Sequence, residues 1–183
     1  IAEVATAVTK GDLTQSITVE ASGEVASLKD NINEMIVNLK NTTQKNSEQD
    51  WLKTNLAKFS RMLQGQRDLV TVGRLILSEL APLVGAQQGL FYVMEANTEA
   101  PYLSLLASYG WNDDQNQGSR LALGSGLIGQ CALDQKRISL TNVPDGYLRI
   151  SSGLGSAPAA SVVVLPVLFE GQIKAVLELA SFE

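Results

Sequence analysis

The spacing of apolar residues divides the chain into two parts near residue 65. Before that point, apolar positions recur at intervals of three and four, which is typical of helices, and no proline interrupts them. From Gly65 onward come all five prolines and several β-branched runs separated by turn-forming residues. The pattern predicts a helical part followed by a part that mixes helices and strands.

The helical part begins with a short helix and a connector. Gly11 can end the first helix by taking the left-handed conformation after its last turn. The connector "GDLTQSITVEASGE" is polar apart from a few residues, and two of them, Leu13 and Ile17, lie four positions apart. A solvated linker gains nothing from isolated apolar residues, so we expect both to pack back onto the helices. The apolar face of the first helix comprises Ile1, Val4, Ala5 and Val8.

The second helix carries an a/d seam. β-branched residues at a, with Leu and Met at d, favour a parallel two-stranded coil. Residues 41–50 hold no apolar residue but also no proline or glycine, so we expect one continuous helix. The seam resumes thirteen residues after Leu39, one short of two heptads, which changes the local winding. The alternative is an amphipathic helix packed on its own domain. The seam comprises Val25, Leu28, Ile32, Met35 and Leu39, extended by Leu52, Leu56, Phe59 and Leu63.

The second part reads as an antiparallel sheet covered by helices. The segment "DLVTVGRLILSELAPLV" has helical spacing, while "GLFYVME" and "YLSLLASYGW" resemble strands. The segment "RLALGSGLIGQCALDQKRISL" predicts a strand, a glycine-rich turn, a short helix and another strand. Residues 145–160 read as irregular, and "SVVVLPVLFEGQIKAVLELAS" as a hairpin turning at Glu170, Gly171 and Gln172. The fold class is therefore α+β.

Composition excludes several kinds of function. The sequence has no histidine, so catalytic triads, metal sites and phosphoacceptors that use imidazole are absent from these 183 residues. A single cysteine forms no internal disulfide and falls short of a thiolate zinc site. A net charge of −5 argues against a nucleic-acid partner. No apolar run reaches the length of a membrane span, and no signal peptide is visible. Because the sequence opens without methionine, we expect a fragment of a longer protein.

The glycine-rich loop before Cys131 does not fit a nucleotide site. A P-loop needs a Lys-Ser or Lys-Thr pair after its last glycine, whereas Gln130 and Cys131 follow Gly129. We expect a structural turn, with a simple anion at the helix N-terminus as the alternative. Cys131 has no histidine to activate it and is predicted to be a buried apolar side chain rather than a redox or chromophore site. The carboxylates form no metal-like cluster.

Residues 1–40 resemble a HAMP domain whose first helix is truncated. The resemblance rests on the helix end at Gly11, the connector residues Leu13 and Ile17, and the "GE" pair with Glu24 that opens the second helix. In that family, two such helices per chain form a parallel four-helix dimer. Residues 41–64 are then the signalling helix that links this domain to the next.

Residues 65–183 resemble a GAF domain. The segments that carry the resemblance are the initial helix, "GLFYVME", "GSGLIGQCA", "ISLTNVP" and "VVVLPVLFEGQIKAVLELAS". The usual C-terminal helix of the family is expected to be missing. Leu127, Ile128, Cys131 and Arg149 are the residues we expect at a ligand pocket, although Arg149 and its neighbouring serines also fit an ordinary surface loop.

The order of the two domains is similar to that of bacterial sensor and hybrid histidine kinases. The resemblance implies a cytoplasmic, non-catalytic relay that binds no cofactor and forms a parallel homodimer with itself, and it leaves open whether the parent protein is anchored in a membrane. Its other expected partners are the downstream kinase domains, and a small ligand of the GAF domain is left open. Two alternatives stay open, a GAF receptor for a small molecule and a redox enzyme. The cyclic-nucleotide residue set, the phytochrome histidine and the several cysteines of GAF-type methionine sulfoxide reductases are all missing.

Overall fold

The computed structural model describes residues 2–96, 98–111 and 119–183. The chain divides into two compact units, residues 1–61 and 62–183. The first unit contains helix α1, Ala2–Thr9, and most of helix α2, Glu24–Leu63. Ile1, which we placed on the apolar face of the first helix, lies outside the described residues.

Helix α2 is continuous for 40 residues, as predicted. The polar stretch of residues 41–50 is helical throughout, because it contains no residue that breaks a helix. Gly11 has φ +86°, so the chain leaves α1 through the left-handed conformation expected of glycine at a helix end. Ile36 is the residue of α2 that is buried within the chain, which leaves most of the apolar side chains of this helix accessible.

The second unit is a six-stranded antiparallel sheet with helices on both faces. The strand order is β3-β2-β1-β8-β7-β4, and a separate two-stranded sheet pairs β5 with β6. The helices are α3, Leu69–Leu83, and α4, Gly126–Asp134. The strands are β1, Gln88–Glu95, β2, Tyr102–Tyr109, β3, Arg120–Ala122, β4, Ile138–Thr141, β5, Arg149–Ser152, β6, Gly155–Pro158, β7, Ser161–Phe169, and β8, Gln172–Ser181.

Two details of the predicted second part are wrong. Residues 145–160, expected to be irregular, contain the hairpin of β5 and β6, which the short side chains of "RISSGLGSAP" permit without any apolar alternation. The last hairpin turns on two residues, Glu170 and Gly171, with φ of +51° and +73°. A two-residue turn in which both residues are left-handed matches the twist of paired strands, so no third residue is needed in the turn. Gln172 is therefore the first residue of β8.

The sheet separates two apolar cores. Helix α3 packs on one face, where Leu77 and Ala81 lie with Ala107, Leu177 and Leu179. Helix α4 and strand β5 cover the opposite face. Because side chains alternate along a strand, Val176, Glu178 and Ala180 of β8 point to this second face. A glutamate thus lies in a row of otherwise apolar residues of a central strand.

Candidate functional sites

Ile17 of the connector is buried within the first unit, with 5% of its surface exposed. Its backbone is held by Asn33 of α2, whose amide oxygen accepts a hydrogen bond from the Ile17 N–H at 2.8 Å. The amide nitrogen of Asn33 donates to the Ile17 carbonyl at 3.1 Å. One side chain therefore fixes both backbone polar groups of Ile17. Leu13 is half-buried, whereas Gly11 and Glu24 are exposed.

The predicted seam of α2 lies largely on the surface of the single chain. Leu28 is 50% exposed and Leu56 is 64% exposed. Ile32, Phe59 and Leu63 are half-buried. The other seam residues, all exposed, are Val25, Met35, Leu39 and Leu52. Such a row of exposed large apolar side chains along one helix marks an interaction surface.

The glycine-rich loop uses its own polar groups. The Gly124 N–H donates to the Gly129 carbonyl at 2.8 Å, and the Ser125 N–H donates to the Ala122 carbonyl at 3.0 Å. A side chain at Gly129 would collide with the Ala122 carbonyl oxygen, so this glycine is needed for close packing. The two bonds and the close approach at Gly129 fit the predicted structural turn, and they engage the N–H groups of Gly124 and Ser125.

The four residues expected at a ligand pocket divide between core and surface. Cys131 is fully buried and Ile128 nearly so, both in the core beneath α4, and Leu127 packs against that core. Burial raises the pKa of the Cys131 thiol, and the Asp134 carboxylate raises it further. Arg149 is exposed and donates from Nη2 to the Ser156 carbonyl at 2.8 Å, which braces the hairpin of β5 and β6.

A cavity of about 80 Å³ opens on the same face of the sheet, and none of those four residues lines it. We call it the Glu178 cavity. It lies beside the start of β1, the end of β8 and the residue that follows Gly110. Its lining residues are Gln88, Gly89, Leu90, Trp111, Leu148, Glu178 and Ala180.

Glu178 is the charged residue of this cavity. Its strand neighbours are Leu90 on β1 and Val164 on β7, both apolar. Burial raises the pKa of its carboxyl from 4.5 to about 7. Among the residues that the structure describes, none donates a hydrogen bond to this carboxyl or pairs with it. All fully buried side-chain nitrogens and oxygens in the described part of the chain have partners, so the carboxyl oxygens must reach accessible space, which the cavity provides.

Gln88 is the buried polar residue beside Glu178, with 6% of its surface exposed. Its amide nitrogen donates to the Gly110 carbonyl at 2.9 Å. This bond ties the start of β1 to the end of β2, immediately before Trp111. The bond uses one of the two N–H groups of the Gln88 amide, whose oxygen is an acceptor.

Sequence reasoning missed four of these residues, Asn33, Gln88, Trp111 and Glu178. Glu178 had a visible signal, because a single carboxylate interrupts the apolar run "AVLELA" of a strand expected at the centre of a sheet. Asn33 and Gln88 had none, since their contacts lie 16 and 22 positions away along the chain. Trp111 lines a cavity together with Glu178 only once the sheet is formed.

Neither a metal site nor a membrane helix is found in the described ranges. Across residues 2–96, 98–111 and 119–183, no three histidine, cysteine or acidic side chains come together as metal ligands. In the same ranges, no helix combines the length and apolar character that crossing a bilayer requires.

Comparison with solved structures shows the fold of the second part. The chain is similar to the GAF domain of an Acinetobacter phosphoenolpyruvate-protein phosphotransferase, with 15% identity and a TM-score of 0.57 over 73% of this chain and 78% of that one. The corresponding GAF domain from Coxiella burnetii gives 20% identity and 0.56 over 70% and 76%. A free methionine-R-sulfoxide reductase from Neisseria meningitidis, solved with its substrate, gives 19% and 0.53 over 70% and 71%.

The sequence itself matches two domain families. Residues 66–183 match the sequence model of the GAF domain, and residues 1–41 match that of the HAMP domain. Both domains are signalling modules, and no catalytic domain is among the matches. Together with the α+β fold and the long helix, these matches show that the chain belongs to the GAF domain family and carries a HAMP domain ahead of its GAF domain, which makes it a signalling or sensory module.

Proposed function

We propose that this chain is the signal-transmitting section of a bacterial sensor histidine kinase, acting as a parallel homodimer. A change in helix packing in the HAMP domain would travel along α2 toward the GAF domain and the kinase domains that follow it. The cytoplasm is the compartment we propose for this section of the parent protein. The domain bounds we propose are residues 1–40, 41–64 and 65–183.

The exposed seam of α2 is the observation that carries this proposal. An isolated helix is marginal in water, and most helical stability in proteins comes from packing of an apolar face. Within its own chain α2 buries Ile36, while seam residues such as Leu28 and Leu56 stay at least half exposed. A second copy of the same helix offers the matching apolar row. Burying one such side chain contributes about 1.5–3 kcal/mol, so several together support a dimer.

Sedimentation equilibrium of the full chain at tens of micromolar tests the dimer. We expect a dimer for the natural sequence and dissociation for Leu28→Asp, which places a charge in the seam. Val37→Asp is the matched control, because Val37 is 55% exposed on the same helix but lies outside the seam. A monomeric natural chain contradicts the proposal, and so does equal dissociation by both variants.

Cross-linking tests the parallel orientation. A cysteine at Val25, in a Cys131→Ala background, should form a disulfide between the two chains of a parallel dimer. In an antiparallel pairing of the full helix, the two positions would be separated by about 55 Å. Failure to cross-link at position 25 while the protein is dimeric overturns the parallel arrangement.

The kinase part of the proposal needs the parent gene. We expect a histidine-bearing dimerisation helix and an ATPase domain after residue 183. A different output domain at that place would refute the kinase assignment and leave the dimer intact.

A further inference from the structure

We propose that the Glu178 cavity is a binding site for a small organic cation, with an ammonium or guanidinium group held by the Glu178 carboxylate beside the Trp111 ring. The site lies within the second unit, and the inference does not depend on dimer formation or on a kinase parent.

The carboxyl group is the first argument. Glu178 lies between Leu90 and Val164 in the middle of the sheet, where a charge without a partner is costly. The structure gives it no partner among the described residues, and its oxygens are not fully enclosed but reach the cavity. A cation in the cavity supplies the missing partner. Because the sheet shields the half-buried carboxyl from part of the solvent, the attraction is stronger than between two surface charges.

The other lining groups favour the same ligand chemistry. The amide oxygen of Gln88 is an acceptor, and one N–H of its amide nitrogen is engaged by the Gly110 carbonyl. The backbone of Gly89 and Leu90 pairs with neighbouring strands on both sides. Trp111 also lines the cavity, and indole rings attract ammonium and guanidinium groups to their faces. Oxygen acceptors and an indole side chain together suit a donor-rich cation and disfavour an anion.

The size of the cavity and its single carboxylate argue against a metal ion. Ca²⁺ takes six to eight oxygen ligands, and no cluster of three metal-binding side chains exists in the described part of the chain. The volume of about 80 Å³ accommodates a few non-hydrogen atoms, because about 10–15 Å³ of such space holds one water. This fits the charged end of a larger molecule or a whole small amine.

Nuclear magnetic resonance of the full chain, labelled with ¹⁵N at the tryptophan indoles, tests the proposal. The chain has two tryptophans, and Trp51→Phe assigns the signal of Trp111. The probes are methylammonium, ethylammonium, trimethylammonium and guanidinium chlorides up to 50 mM at constant ionic strength, with methanol and sodium formate as neutral and anionic counterparts. We expect a saturable shift of the Trp111 indole signal with at least one cation and none with methanol or formate.

Matched variants identify the group that binds. Glu178→Gln keeps the shape of the side chain and removes its charge, and we expect at least a tenfold weaker affinity. Glu95→Gln, an exposed carboxylate on β1, is the control and should stay within twofold of the natural chain. Silence toward all four cations, an equal response to formate, or unchanged affinity in Glu178→Gln overturns the proposal.

A second measurement avoids reliance on a variant. With ¹³C at the glutamate carboxyls, the Glu178 signal can be followed through pH with and without the bound probe. A cation that pairs with the carboxylate must lower the pKa of Glu178 by the reciprocity of linked equilibria. An unchanged pKa at a saturating concentration of a probe also overturns the proposal.

Discussion

Replacing Glu178 with glutamine should change how the stability of the GAF domain depends on pH. The folded protein holds the pKa of this carboxyl at about 7, above the ordinary value of 4.5. The folded state therefore binds more protons than the unfolded state between these two values. The neutral carboxyl stabilises the fold fully below pH 4.5, and this contribution is lost as pH rises through 7.

The size of the effect follows from the same two values. The difference between the folded and the ordinary pKa of Glu178 changes the free energy of unfolding by at most about 3 kcal/mol between pH 4 and pH 8. Glu178 is half-buried, so solvent screening reduces the expected effect to about 1–2 kcal/mol. Because glutamine does not ionise, we expect the free energy of unfolding of Glu178→Gln to rise by this amount relative to that of the natural sequence as pH rises.

Urea unfolding followed by the fluorescence of Trp111 measures this difference, in a Trp51→Phe background that leaves one tryptophan in the GAF domain. Asp12 and Asp68 have lowered pKa values, since each accepts hydrogen bonds from a threonine, and their contribution is lost as pH falls. Both proteins share these groups, so their effect cancels in the difference. Glu95→Gln serves as the exposed control. Parallel pH profiles for Glu178→Gln and the natural chain would refute the reasoning.

Two further predictions concern the connector and the thiol. Ile17→Asp should lower hydrogen-exchange protection across residues 1–40 and leave the strands near Phe91 and Val163 unchanged, because it removes a buried side chain that contributes about 1.5–3 kcal/mol. Val19→Asp is the control and should change little, since Val19 is a connector residue that is 54% exposed. Full protection of residues 1–40 in Ile17→Asp would mean that the connector only tethers the two helices. Cys131 should react slowly with thiol reagents in the folded protein, and Cys131→Ala should fold with a loss of roughly 1 kcal/mol; fast labelling would show that the thiol is accessible.

The periodic elements could be predicted from sequence because local physics decides them. Helix α2 continues through residues 41–50 since nothing there breaks a helix, and Gly11 ends α1 because glycine takes positive φ at little cost. The hairpin of β5 and β6 was missed because one residue of its first strand, Ile150, is buried, and a single apolar position gives no alternation to detect.

The Glu178 cavity could not be predicted, because strand order brings its parts together. Gln88 and Glu178 are ninety positions apart, and they meet only since β8 inserts between β1 and β7. Alternation along each strand fixes which face a residue takes, whereas the pairing of strands from opposite ends of the domain is not written in any local pattern. A residue-by-residue search therefore selected Cys131 and its helix, which are in the core, and missed the carboxyl.

Dimer formation through α2 and cation binding at Glu178 can be coupled thermodynamically without sharing a contact. A ligand shifts a conformational equilibrium only by its difference in affinity for the two states. The Asn33 bonds to Ile17 and the seam of α2 are features whose packing a HAMP signal could change, while the Glu178 carboxyl is a group whose charge a cation could stabilise. If both respond to one transition, dimer strength must change cation affinity by the same factor as the cation changes dimer strength. If they do not, the GAF domain binds its ligand independently and the helix carries its signal past it.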